Sequence, residues 1–149
     1  MTVRERAEAM LAQDLTCQSL GIALDEVAPG RAVLSMRLTE RMVNGHGIGH
    51  GGYLFLLADA AFAYACNSHG PAAVAQSAQV MFLRPAGPGD ELVAEAVERE
   101  RAGRTGVYDV TVRRPKDGAV IAEFRGQSVM LSGRPAAPPT TAAPPPAES

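Results

Sequence analysis

An α+β fold, one buried helix enclosed by β-strands, is the architecture that this 149-residue chain predicts. Three observations carry the reading. The segment from Gly52 to about Asn67, GYLFLLADAAFAYACN, is apolar on every face, as expected of a helix surrounded by protein rather than lying on a surface. Strand-like runs lie on both sides of it, each bounded by turn chemistry. A glycine-rich loop, NGHGIGHGG at 44–52, feeds directly into the helix start.

Val3 to Gln13 places Ala7, Met10 and Leu11 at helical spacing with charges on the other side, which predicts a short amphipathic N-terminal helix. Ile22–Val27 and Ala32–Leu38 flank Pro29 and Gly30, and the second run alternates, which is a hairpin signal. After the central helix come Ala73–Leu83, Glu91 to about Glu100, Thr105–Arg113 and Ala119–Leu131. The turns PAGPGD, Gly103 and Asp117-Gly118 separate them, so four strands in meander order are expected. ELVAEAVERERA at 91–102 favours a helix by local propensity. It is read as a strand because its neighbours are strand-like and a long strand there completes a sheet around the helix. The expected organisation is a single domain over 1–134, followed at 135–149 by a Pro/Ala-rich tail, extended or disordered.

Composition narrows the function. A formal charge of -2, with both signs mixed along the chain, supplies no basic footprint for nucleic acid. The amino terminus carries Arg4, Glu5, Arg6 and Glu8 where a secretory signal would be apolar. The longest apolar stretch, Tyr53–Cys66, is shorter than the roughly 20 residues that span a membrane and contains Asp59. No membrane partner is expected. Cys17 and Cys66 lack metal-site spacing and read as reduced core residues, which favours the cytoplasm.

Gly47–Gly52 matches G-x-G-x-x-G, but no strand immediately precedes it and no acid lies about 20 residues beyond, so a dinucleotide turn is set aside. A phosphate loop fails for want of Gly-Lys-Ser/Thr. His46 and His50 are spaced for a metal only on a helix, which the glycines between them disfavour. No metal is expected. His46 reads as a loop-bonding residue, His50 as the residue adjoining the helix start, and His69 as a turn residue only.

Asp59 is the only formal charge between Arg41 and Arg84. Its bland role is a hydrogen bond to backbone or to a hydroxyl such as that of Tyr64. Its functional role follows from burial, which raises a carboxyl pKa and makes a better base or nucleophile. Gly51 and Gly52 offer backbone N–H groups where an oxyanion could be held. Asp59 lies about eight residues further along, roughly 12 Å at 1.5 Å per residue, so one carbonyl cannot touch both in one chain. The expectation is an obligate dimer whose antiparallel helices pair the oxyanion donor of one subunit with Asp59 of the other.

NGHGIGHGG, LADAAFAYACNSHG, FLRPAGPGDEL, RTGVYDV and FRGQSVML together resemble the phenylacetic-acid-degradation acyl-CoA thioesterases of PaaI type, in the hotdog-fold superfamily. The likeness runs from about Leu20 to Leu131 and is absent from the proline-rich tail. It implies one long helix wrapped by an antiparallel sheet of five or six strands, a homodimer, and commonly a homotetramer. By position it makes Asp59 the nucleophile or general base and the Gly51 N–H the oxyanion donor, with Asn44 and His50 completing the site. Asn44 can orient water or the thioester, and His50 can fix the loop or the carbonyl. Arg84, Arg101, Arg104 and Arg125 are candidates for the coenzyme A phosphates, because guanidinium can bond phosphate bidentately. Of these, Arg84 and Arg104 match positions that resemble family contacts.

Hotdog dehydratases pair the acid with a histidine five residues on, where this chain has Tyr64, so dehydration is not expected. Another thioesterase branch carries Thr or Ser one turn after the acid, where this chain has Ala63; if that contact is required, Ser77 or a hydroxyl of the partner subunit is the candidate replacement. The expected activity is hydrolysis of phenylacetyl-CoA or a ring-hydroxylated relative, with coenzyme A as part of the substrate and no separate cofactor. The alternatives are a non-enzymatic acyl-CoA sensor, or a thioesterase for another aromatic or long-chain acyl group. Tyr53, Phe62 and Phe82 are read as core or pocket aromatics.

Overall fold

The computed structural model describes residues 1–135, the last four of them by backbone alone. Of the expected tail at 135–149, Pro135 instead ends the last strand, and 136–149 lie outside the described residues. Two helices, α1 (Val3–Gln13) and α2 (Leu15–Ser19), open the chain, and Thr2 caps α1 in a reciprocal box with Glu5. The second of them is not foreseen in the sequence. Strands β1 (Ala23–Ala28) and β2 (Arg31–Arg37) form the expected hairpin, turned at Gly30 with φ 75°. A single 3₁₀ turn, Glu40–Met42, and the glycine loop lead into α3 (Gly51–Cys66). Strands β3 (Pro71–Phe82), β4 (Glu91–Ala102), β5 (Thr105–Arg114) and β6 (Ala119–Pro135) complete one antiparallel sheet. No helix among the described residues is long and apolar enough to cross a membrane.

The sheet order is β1-β2-β4-β5-β6-β3. Only β4, β5 and β6 therefore follow the expected meander, and β3 pairs with β6 instead of β4. The segment PAGPGD explains the difference. It is longer than a tight hairpin loop and carries two prolines, so it returns the chain to β2, where β4 docks between Arg31↔Val97 and Arg37↔Glu91. Segment 91–102 is a strand, against its helical propensity, because it is the central strand between β2 and β5. Its alternate residues Leu92, Ala94 and Ala96 are fully buried under the helix.

Bulges in β1, β3 and β4, and one at Ile121 of β6 opposite Val112 and Arg113, bend the sheet around α3. The enclosed face of the helix, with Leu54, Leu57, Ala58, Ala61, Phe62 and Ala65, meets Leu34, Met36, Tyr108, Val110, Val112 and Phe124. Phe62 anchors the contact, its ring centroid 5.6 Å from that of Tyr108 and 5.7 Å from that of Phe124. A Cβ on Gly126 would lie 2.9 Å from the Phe62 ring, so β6 needs glycine where the helix approaches it. Burial of one such side chain contributes about 1.5–3 kcal/mol. At the far end, Asn67 caps α3 and also bonds both ways to the backbone of Ala73, at 3.0 and 2.9 Å, fixing the entry to β3.

Candidate active site

The glycine loop is a tied structure. Val43 bridges Gly49, Asn44 N–H donates to Ile48 O at 2.8 Å, and Gly47 N–H donates to Asn44 O at 3.0 Å. Asn44 Oδ1 accepts from the N–H of His46 at 2.9 Å and of Ile48 at 3.2 Å. The carboxamide oxygen is thus committed to the loop, and its Nδ2 is the end left to donate. Gly49 N–H to Ala86 O, at 2.7 Å, and His50 N–H to Met42 O, at 2.6 Å, then set the approach to the helix.

His50 is the N-cap of α3. Its Nδ1 accepts from Gly52 N–H at 3.0 Å, which places the neutral ring's proton on Nε2. Of the two amides expected as oxyanion donors, Gly52 is therefore already bonded. The Gly51 N–H meets no acceptor among the described residues. A single free donor at a helix start, where the helix dipole adds positive potential, suits one developing negative oxygen.

Asp59 is half-buried on the same helix, on a strip with Leu56 and Ala63 that the sheet leaves partly open. Burial raises its carboxyl above the ordinary range, and among the described residues no hydrogen bond or charge offsets the effect. The hydroxyl of Tyr64, offered by the sequence as a partner, donates instead to Asp14 at 3.2 Å. The bland role for Asp59 thus lacks its bond.

Gly51 opens into a groove of about 370 Å³ lined by Asn44, Ile48, Leu54, Phe82, Leu83 and Arg84. Arg84 lies at its rim and donates from Nη1 to Val120 O at 2.9 Å. The other arginine candidates are placed elsewhere. Arg125 grips Asp109 with two bonds of 2.6 and 2.8 Å on the outer sheet face, since its neighbours Phe124 and Gly126 point inward. Ser77 lies on that outer face too, bonded to Gln127 at 3.4 Å. Arg101 and Arg104 line a small recess with Cys66 and His69, at the C-terminal end of α3. Arg101 is 3.8 Å from Glu98, and Arg104 donates to Met130 O at 2.9 Å.

His69 corrects the expectation of a mere turn residue. Its Nε2 lies 2.8 Å from Glu98 Oε1, which also accepts the Tyr108 hydroxyl at 2.8 Å. Those partners come from β4 and β5, so nothing near His69 in sequence announces them. Among the described residues, no group of three or more His, Cys, Asp or Glu could hold a metal. His50 spends its Nδ1 on the cap.

The family model of the thioesterase superfamily matches residues 46–121, from the glycine loop into β6. The chain belongs to the thioesterase superfamily. It is 46% identical over 129 residues to the acyl-coenzyme A thioesterase PaaI of Escherichia coli, covering 87% of this chain and 91% of that one. The structure of E. coli PaaI, from the phenylacetic acid degradation operon, superposes with a TM-score of 0.86 at 44% identity, over 89% of this chain and 95% of that one. A variant of the phenylacetic acid degradation protein PaaI from Thermus thermophilus superposes with a TM-score of 0.76 at 39% identity, covering 79% and 100%. This thioesterase-superfamily chain thus has the hotdog fold: one long helix in a six-stranded antiparallel wrap, with a short helix at the N-terminus. Within its groove, Phe82 takes the pocket place that the sequence offered it beside a core one, and Leu83 is the lining residue that sequence reasoning left unplaced. Their signal is their position at the end of β3, directly before Arg84.

Proposed function

We propose that the protein hydrolyses acyl-CoA thioesters, with phenylacetyl-CoA or a ring-hydroxylated relative as substrate. The single observation that carries the reading is the unpartnered Gly51 amide in an apolar groove, on the same helix as an unpartnered, half-buried Asp59. The identity with an acyl-coenzyme A thioesterase of E. coli supports the substrate class.

The thioester carbonyl accepts from Gly51 N–H, with Asn44 Nδ2 available to a water or to the thioester. Asp59 removes a proton from water as its oxygen bonds to the carbonyl carbon, and the negative charge moves onto the carbonyl oxygen. Collapse re-forms the carbonyl and breaks the C–S bond. The sulfur leaves with the proton returned from Asp59, giving coenzyme A and the free acid. Direct attack by Asp59, through a mixed anhydride, is the second reading, and the lack of any hydrogen bond to the carboxylate is what favours it.

The two groups lie roughly 12 Å apart along one axis. We therefore place each site between two protomers, with antiparallel α3 helices, in a homodimer that pairs again into a homotetramer. Residues 1–134 form the catalytic unit. Arg84, at the groove rim, is the first candidate for the coenzyme A phosphates, and Arg104, at a position that resembles a family contact, is the second. Two free, buried cysteines suit a reducing compartment such as the cytoplasm.

The test is coenzyme A release from phenylacetyl-CoA by the wild type and by Asp59→Asn, with binding measured separately. Turnover should fall by about two or more orders of magnitude with binding kept, the scale of losing a positioned base. Binding without hydrolysis of any acyl-CoA by the wild type would instead make the protein an acyl-CoA sensor.

A further inference from the structure

Phe82 ends β3 opposite Ala122 of β6, so the sheet ladder fixes its backbone. A Cβ on Gly51 would lie 3.0 Å from Phe82 Cζ and 3.3 and 3.4 Å from the two Cε atoms. Near-equal distances to three adjacent ring atoms put that point over the face of the ring; an edge-on approach would leave the Cε atoms much farther away than Cζ. The face of the ring thus fills the space that any side chain at position 51 would need. A side chain there would press on the ring and have to push it aside by a few tenths of an ångström, so the contact favours glycine whatever its torsion angles. The face of an aromatic ring is negative and a helix start is positive, so the packing is also electrostatically favourable.

Phe82 is 52% exposed, and with Ile48, Leu54 and Leu83 it supplies the apolar wall of the groove into which Gly51 opens. A large aromatic side chain packed against Gly51 yet half-uncovered beside its amide offers a surface to whatever that amide binds.

We propose that Phe82 is a positioning residue for the thioester: its ring screens the Gly51 N–H from bulk water and holds the thioester carbonyl in line with it. The inference rests on the thioesterase reading above. A hydrogen bond to a developing oxyanion strengthens when water is excluded, so the ring acts mainly on the transition state and kcat moves more than KM. Because the carbonyl is common to all thioesters, the effect is the same for aromatic and aliphatic acyl groups.

The experiment is steady-state kinetics of the full chain on phenylacetyl-CoA and hexanoyl-CoA, for the wild type, Phe82→Leu, Phe82→Met and Phe82→Tyr, with thermal melts and size-exclusion chromatography of each. Phe82→Leu should lose about tenfold in kcat on both substrates, less than the loss of a whole oxyanion donor, with KM changed by less than about threefold. Phe82→Tyr, which keeps the ring face, should return to within about twofold of the wild type. Phe82→Met carries the same expectation as Phe82→Leu and replaces it if that variant does not fold. A raised KM at unchanged kcat, or no change in either, overturns the positioning role. So does an assembly that Phe82→Leu dissociates and that recovers activity at high protein concentration, for then the ring serves an interface. A wild type that cleaves neither these nor any other thioester overturns the functional reading and the role of Phe82 with it; an active wild type beside an equally active Phe82→Leu overturns the role alone.

Discussion

Tyr64 donates its hydroxyl to Asp14 Oδ2 over 3.2 Å, tying the last turn of the structure's long helix to the joint between its two N-terminal helices. Asp14 is already in use there, its Oδ1 capping α2 through Cys17 N–H at 3.0 Å. One carboxylate thus gathers three helices, while Asp59, five residues before Tyr64, keeps none of these bonds.

The stability of the Asp59→Asn variant follows from that contrast. Burial alone raises the Asp59 carboxyl above its ordinary 3.8. A carboxyl raised in the folded state favours folding below its unfolded value, and that contribution is lost as pH rises through its folded value. At pH 7 the ionised group therefore opposes folding. Asp59→Asn should melt at or above the wild-type temperature at pH 7, with the advantage shrinking towards pH 4. Calorimetry at both pH values checks this, and a variant that melts several degrees lower at pH 7 would mean that the carboxylate has a stabilising partner.

His50 makes a second, separable prediction. His50→Ala removes the cap of α3 and should cost about 0.5–2 kcal/mol, whereas His50→Asn can still accept from the Gly52 amide and should recover most of it. Urea denaturation of the three proteins measures the difference. Equal stability of the alanine and asparagine variants would remove the cap from the account.

Glu98 should shape the acid limb of the stability curve. Burial opposes its ionisation, but the bonds from Tyr108 and His69, with Arg101 nearby, prevail and hold it below the ordinary 4.5. A depressed carboxyl stabilises the fold above its unfolded value and loses that contribution as pH falls through its folded value. Glu98→Gln should therefore melt below the wild type at pH 7, and the two should converge as pH drops below 4.5. A melting-temperature gap that is constant with pH would assign the effect to packing.

The two cysteines should be inert in the native protein. Both are buried, and burial pushes each thiol up to about 12, with Asp14 adding to the effect at Cys17 and Asp59 at Cys66. Thiolate is the reactive form, so at pH 8 neither should take up iodoacetamide until the chain is unfolded. Mass spectrometry of native and guanidinium-treated samples counts the adducts.

Much of the fold is legible in the sequence because its signals are local. The apolar run after the glycine loop gives α3 to within one residue at each end, and alternation in Ala32–Leu38 gives β2. Segment 91–102 shows local preference losing to context: its helix-forming residues lie between two strands, where backbone pairing on both edges decides. The position of β3 is not legible, because pairing with β6 depends on where a proline-bearing connection lets the chain turn back. At the site, the types and order of Asn44, His50, Gly51 and Asp59 can be read directly. The division of labour between Gly51 and Gly52 cannot, because it depends on which amide the His50 ring reaches. The role of Asn44 Oδ1 as a brace for its own loop is likewise a matter of geometry.

The place of β4 also bears on the order of assembly. The β5–β6 hairpin closes through the short turn at Asp117-Gly118, whereas the β2–β4 seam joins Arg37 to Glu91 and Arg31 to Val97 across the whole of α3 and β3. Closing a long loop costs entropy before its contacts return anything, so the hairpin should form early and the seam should close last. In stopped-flow kinetics, Leu34→Ala in the seam is expected to speed unfolding and barely slow folding, and Val110→Ala within the hairpin, opposite Phe124, to do the reverse. The strand that completes the wrap around the helix would then also be the latch through which the chain first comes apart.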